Sequence, residues 1–325
     1  MKNEILLFIF GLILLIKGGD WFVDGATKIA RRFKIPEIIV GATVVSIGTT
    51  LPEVMVSVSG ALAGQGAMAY GNAIGSIICN TSLIAALTIA IKPGKVNTKT
   101  LIIPSIFFVV ASAIYMLSAY VFGYFYRWIG IVLLLVFVAY MILTVRSGLK
   151  ERDIAQIDEE EHDGGEEKTS LALDLMWLVV GAAVIAVGAD LLVENGTIIA
   201  QRLGVPETVI ALTFVALGTS LPELVTAITS LAKGHGSLSL GNIIGANIFN
   251  LVLVSGASIT LAPFEVPVGN LLFGINSSLV LDIPLMLAVM AFMIVPTLIT
   301  KKLSRYQGIA LLCVYAAFCT LQFVL

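Results

Sequence analysis

Gly48-Thr49-Thr50-Leu51-Pro52-Glu53 stands in the first half of the chain, and Gly218-Thr219-Ser220-Leu221-Pro222-Glu223 stands 170 residues later. A second pair follows at the same offset, Gly71-Asn72-Ala73-Ile74-Gly75 and Gly241-Asn242-Ile243-Ile244-Gly245. Sliding the chain by 170 aligns 18–80 with 188–250 without a gap, and 24 of the 63 positions are identical. Apolar composition alone would match Leu with Leu. It would not align Gly, Pro, Asn, Thr and Glu, so the chain is read as a duplication.

The solvent of this duplication is lipid. Of 325 residues, 58% are hydrophobic and 12% charged, about half the charged share of a soluble domain, and the mean hydropathy is +1.02. Such a chain excludes a cytosolic enzyme and a secreted disulfide scaffold. A net charge of −2 offers no basic footprint for nucleic acid. Cys79, Cys313 and Cys319 lie in apolar stretches and are read as small buried hydrophobes. The N-terminal apolar run lacks a cleavage site and continues into Gly18-Gly19-Asp20-Trp21, so it is read as a retained first span.

Runs long enough to cross about 30 Å of hydrocarbon fall at about 4–24, 37–63, 70–91, 101–120, 127–146, 172–194, 206–232, 238–260, 271–299 and 306–325. The fold class expected is an all-α membrane protein with ten transmembrane helices. Each half holds five, residues 1–147 and 171–325. Between them, 148–170 carries nine acids and reads as a solvated linker. Fifteen Lys and Arg lie in one set of alternate loops against three in the other. Positive charge stays cytoplasmic, which places the linker inside and both termini outside. Five is an odd number, so the second half enters the membrane upside down. Inverted repeats with interrupted helices are a construction of secondary transporters, with the substrate site at the midplane.

Glu53 and Glu223 are the acids set deep in spans, where an ionised carboxylate costs at least about 2.5–3.5 kcal/mol. Lys17 is the one basic residue inside a span. Ser46, Thr49, Thr50, Glu53 and Ser57 share a helix face, and Pro52 withholds an N–H from Gly48, predicting a broken helix with freed carbonyls. The second copy offers Thr213, Thr219, Ser220, Glu223 and the carbonyl of Ala216. Asn72, Ser76 and Asn80 stack at four-residue spacing, as do Asn242, Ala246 and Asn250. Asn80 and Asn250 can complete a coordination shell, and Asn72 and Asn242 are expected to brace the helices. These are hard oxygen donors, suited to Na⁺ and Ca²⁺. Two carboxylates balance one divalent ion or two monovalent ions or protons. Zinc is disfavoured because His162 and His235 sit in loops.

The duplicated motifs resemble the alpha repeats of the cation/Ca²⁺ exchanger superfamily, above all its prokaryotic sodium/calcium exchangers, with alpha motifs at about 41–80 and 211–250. Asp282-Ile283-Pro284 adds to the likeness. The resemblance implies an antiporter of the cell inner membrane, not an enzyme, with no cofactor, in which Na⁺ entry drives Ca²⁺ extrusion. It implies ion ligands at Glu53, Glu223, Thr49, Thr219, Thr50, Ser220, Ser76, Asn80, and the carbonyls of Ser46 and Ala216, with Asn250 beside them. Alternating access would come from sliding the first and sixth helices past the core. Asn250 replaces an acid linked to potassium dependence in some relatives, and Ala246 removes a frequent hydroxyl. The proton/calcium branch typically carries Glu after Gly-Asn, where this chain has Ala73 and Ile243. An H⁺/Ca²⁺ antiporter on the same scaffold is the alternative. Nothing in the sequence requires an oligomer.

Overall fold

The structure is a computed structural model that describes residues 2–158, 170–203, 218–268, 271–272 and 274–324. Among these residues, eight helices are long and apolar enough to cross a membrane, and two shorter apolar helices accompany them. Large apolar side chains on their outer faces, such as Ile13, Ile16, Val109 and Leu135, are exposed, as a lipid-facing surface requires.

Helix α1 (Lys2–Arg32) packs along α8 (Leu171–Arg202). A Cβ at Gly11 would stand 2.9 Å from the carbonyl oxygen of Gly188, and one at Gly188 would stand 2.9 Å from that of Gly11. Lipid supplies no hydrophobic drive between helices, so this seam of small residues binds by backbone approach and dispersion. Arg32 pairs with Asp174 at one end and Arg202 with Glu4 at the other, both at 2.7 Å. The two helices therefore run antiparallel, although they occupy equivalent places in the duplication.

The remaining helices build the core. The second span joins α2 (Glu37–Val40), a π-helical turn at Gly41–Val45, and α3 (Ser46–Leu62). The third joins α4 (Gly66–Cys79), a π turn at Asn80–Ala85, and α5 (Ala86–Ile91). After α6 (Lys99–Met116) comes α7 (Arg127–Asp158), which runs on past Gly148, where the linker was expected to begin. The second half continues with α9 (Leu221–Ala232), α10 (Gly236–Phe249), a π turn at Asn250–Val254 and α11 (Ser255–Leu261). It ends with α12 (Ile283–Thr300) and α13 (Arg305–Val324). Three ladders of two residues per strand tie loops together, among them Gly94–Lys95 with Lys302–Leu303.

Two expectations need correction. The helix does not break at Pro52: α3 is continuous through it. The irregularity lies about two to three turns earlier, at Gly41–Val45. A proline inside a membrane helix is tolerated where neighbouring helices satisfy the backbone, and here α4 gives Asn72 Nδ2 to the carbonyl of Glu53 beside Pro52. The cysteines are also not all buried. Cys79 is, Cys313 is exposed and Cys319 is half-buried, and all three are free.

Candidate functional site

Glu53 on α3 and Glu223 on α9 are both fully buried. Their carboxyl groups interact with one another, and the hydroxyls of Thr49 and Thr50 also bear on Glu223. At hydrogen-bond geometry, none of the four carboxylate oxygens has a partner among the described residues. Among the described residues no base pairs with them either. The ion pairs found among the described residues involve other acids: Arg32–Asp174, Arg202–Glu4, Lys233 with Asp20 and Asp24, and His235–Glu37. Lys17 is exposed on the outer face of α1.

Around the carboxylates stand further orphaned oxygens. Thr50 Oγ1 and Ser220 Oγ are buried without a partner among the described residues. Asn80, where α4 passes into its π turn, has both amide atoms unpartnered among the described residues. Asn250, at the equivalent junction, donates Nδ2 to the carbonyl of Ala246 at 3.1 Å and leaves Oδ1 without a partner. Leaving a buried polar atom unpaired costs about 1–3 kcal/mol. A gathering of acceptors in that condition, two of them carboxylates, is the donor set of a hard cation.

The threonines are held by the opposite half of the molecule. Thr49 donates to Asn242 Oδ1 at 3.2 Å, and Thr219 donates to Asn72 Oδ1 at 3.1 Å. Asn72 in turn gives Nδ2 to Ser57 Oγ at 2.8 Å and to the Glu53 carbonyl at 3.3 Å. Ser46 Oγ reaches the Asn242 carbonyl at 3.0 Å. Thr49 and Thr219 thus commit their hydroxyl protons to amide oxygens, which leaves each hydroxyl oxygen's lone pairs for another partner. Gly245 permits this approach, since a Cβ there would stand 2.7 Å from Ala42 Cα.

Of the residues singled out in the sequence, Glu53, Glu223, Thr49, Thr50, Ser220, Asn80 and Asn250 are buried, and Thr219 is half-buried. Ser76 is buried on α4, one turn before Asn80. Ser46 uses its hydroxyl for bracing. Thr213 and Ala216 lie outside the described residues. Sequence reading missed Thr226, Ser230 and Ser239, which are buried hydroxyls without partners among the described residues. The signal for Thr226 and Ser230 was their spacing from Glu223 on the same helix; Ser239, on α10, had none.

A profile of the family described as sodium/calcium exchanger protein matches residues 3–146 and 173–324. A membrane protein of Methanocaldococcus jannaschii is 35% identical, over 95% of this chain and 94% of its own length. The sodium/calcium exchanger MaX1 of Methanosarcina acetivorans is 30% identical, over 98% of each. Among solved structures, the sodium-calcium exchanger NCX_Mj soaked with Na⁺ and Sr²⁺ superposes with a TM-score of 0.78 at 30% identity, covering 97% of both chains.

Proposed function

The chain belongs to the sodium/calcium exchanger family, and from that premise we propose that it is a secondary antiporter in which Na⁺ moving down its gradient expels Ca²⁺. It is a transmembrane ion exchanger and not an enzyme. The observation that carries the reading is the pair Glu53 and Glu223, fully buried, with none of their four carboxylate oxygens partnered and neither in an ion pair among the described residues. Two negative charges are balanced by one divalent cation or by two monovalent ones. Ions that compete for the same oxygens cannot occupy the site together, and that exclusion couples their fluxes.

In this reading Glu53 and Glu223 hold Ca²⁺. Thr49, Thr50, Thr219, Ser220, Ser76, Asn80, Asn250 and the carbonyls of Ser46 and Ala216 complete shells for Ca²⁺ and Na⁺. The ten helices form two inverted five-helix units, 1–147 and 171–325, joined by the 148–170 linker. The antiparallel seam of α1 and α8 supports that arrangement, as does the loop charge bias. The same bias puts both termini outside and the linker in the cytoplasm of a prokaryotic cell. Alternating access follows from α1 and α8 sliding together over the core, since α1 packs chiefly on α8 and Lys233 latches it to the end of α9.

The test is radioactive Ca²⁺ uptake into proteoliposomes, driven in parallel by an outward Na⁺ gradient and an outward proton gradient. Uptake with Na⁺ alone is expected. Uptake with protons alone would overturn the sodium assignment and make the glutamates proton carriers.

A further inference from the structure

Hydroxyls in the helices of this protein are ordinarily engaged by their own backbone. Thr27, Thr43, Ser82, Ser258, Thr260 and Thr297 each donate to the carbonyl four residues earlier, the usual way a membrane helix satisfies such a group. Thr226 and Ser230 of α9 do not. Both are fully buried, and neither hydroxyl has a partner among the described residues. Ser239 of α10 is in the same condition, with 2% exposure.

Their placement is ordered. Glu223, Thr226 and Ser230 are spaced three and four residues apart, so they lie on one face of α9 along about 10 Å of helix rise. Val225 and Thr229, on another face, meet Gly19 of α1, so the hydroxyl face is turned from α1 toward α10 and the π turn after α4, both of which pack on α9. Past Ser230 lies a cavity of about 580 Å³, lined by Leu231, Gly234, Ser239 and Thr88 and rimmed by exposed Lys92 and Lys95. Glu37 also lines it, engaged by the Nδ1 of His235 at 2.8 Å. The equivalent positions in the first half are Val56, Gly60 and Ala69, which carry no hydroxyl. The duplication therefore did not bring this file of oxygens; the second half acquired or kept it alone.

We propose that Thr226, Ser230 and Ser239 form a transit site for a partly dehydrated hard cation, on the path between the Glu53–Glu223 pair and the cavity at the Lys92 end. Hydroxyl oxygens replace part of an ion's hydration shell yet, lacking charge, hold it weakly enough to release it. The proposal rests on the antiporter reading, and its test separates the two.

Thr226→Val and Ser230→Ala, combined, remove two hydroxyls with little change of volume. The expected result is a loss of about tenfold in Na⁺-driven Ca²⁺ uptake, with Ca²⁺ binding to the detergent-solubilised protein by calorimetry within about twofold of wild type. Thr226→Ser with native Ser230 retains the wild-type rate. Unchanged uptake in the double variant overturns the transit site. So does a parallel fall in binding affinity, which would place the hydroxyls in the ion site itself or in the packing. A second measurement is independent of the cargo. In a chain with Cys79, Cys313 and Cys319 replaced by Ser, Ser230→Cys is expected to react with a charged thiol reagent added from the Lys92 side and not from the other. Reaction from neither side, or only from the opposite one, overturns the path. If wild type fails to exchange Ca²⁺ while this labelling pattern holds, the antiporter reading fails and the path stands.

Discussion

The two copies of the Gly-Thr-x-Leu-Pro-Glu motif are folded differently. In the first, Pro52 and Glu53 sit inside a helix that begins at Ser46 and runs to Leu62. In the second, the helix begins at Leu221, Ser220 stands before it at φ −92° and ψ 5°, and Glu223 falls in the first turn. Proline is at home in a first turn, where its missing N–H has no helical partner to lose. In mid-helix it removes a hydrogen bond that neighbours must offset. The same residues accept either setting, so the motif does not dictate where the helix starts. The difference also gives the carboxylates unequal support. Glu223 lies at a helix N-terminus, where an anion gains about 0.3–1 kcal/mol, whereas Glu53 has no such end beside it.

The strongest way to break this comparison is to remove one charge at a time. Glu53→Gln and Glu223→Gln are each expected to reduce Na⁺-driven Ca²⁺ uptake by more than about a hundredfold, an effect of at least ~2.7 kcal/mol, while the protein stays monodisperse by size-exclusion chromatography. Uptake retained in either variant would show that the two copies do not share one ion.

Next come the crossed amides. Asn242 is fully buried and accepts from Ser46 and Thr49, whereas Asn72 is half-buried and serves Thr219, Ser57 and the Glu53 carbonyl. Asn242→Ala is expected to lower transport about tenfold and stability by about 1–3 kcal/mol in a thermal-shift measurement, with Asn72→Ala losing less stability. The reverse order would show that the first copy, and not the second, is the stiffer half.

A smaller effect is expected from restoring symmetry. Ala246 stands where the first copy has Ser76. Ala246→Ser adds one oxygen and is expected to lower the Na⁺ concentration for half-maximal exchange by severalfold, leaving the maximal rate within about twofold.

The smallest effects concern the ends of the α1–α8 seam. Arg32 and Arg202 are equivalent in the duplication, but Arg32 pairs with a buried Asp174 while Arg202 and Glu4 meet near the surface. Arg202→Gln is expected to change stability by less than about 1 kcal/mol. Arg32→Gln leaves a buried carboxylate without its arginine and is expected to cost about 3 kcal/mol. Equal melting temperatures for the two variants would remove that distinction.

Much of this molecule was legible in its residues because burying charge in lipid is expensive. Glu53 and Glu223 stood out for that reason, and the Asn, Gly and Pro positions stood out because the duplication repeats them where apolar residues would vary freely. Hydropathy marked the eight long apolar helices of the described residues for the same physical reason. The register of the helices against one another left no such mark. That Thr49 of one copy donates to Asn242 of the other, and Thr219 to Asn72, depends on how the two halves interlock. The π turns at Asn80 and Asn250 likewise arise in the packed bundle and not from any local breaker residue. The expected break at Pro52 is absent, α3 running straight through it, and Thr226 and Ser230 looked ordinary until their burial left them with no partner among the described residues. Sequence alone determined which groups must avoid lipid. Only the tertiary structure decided what each of them faces, because contacts between residues 147 and 193 positions apart are set by packing and not by local propensity.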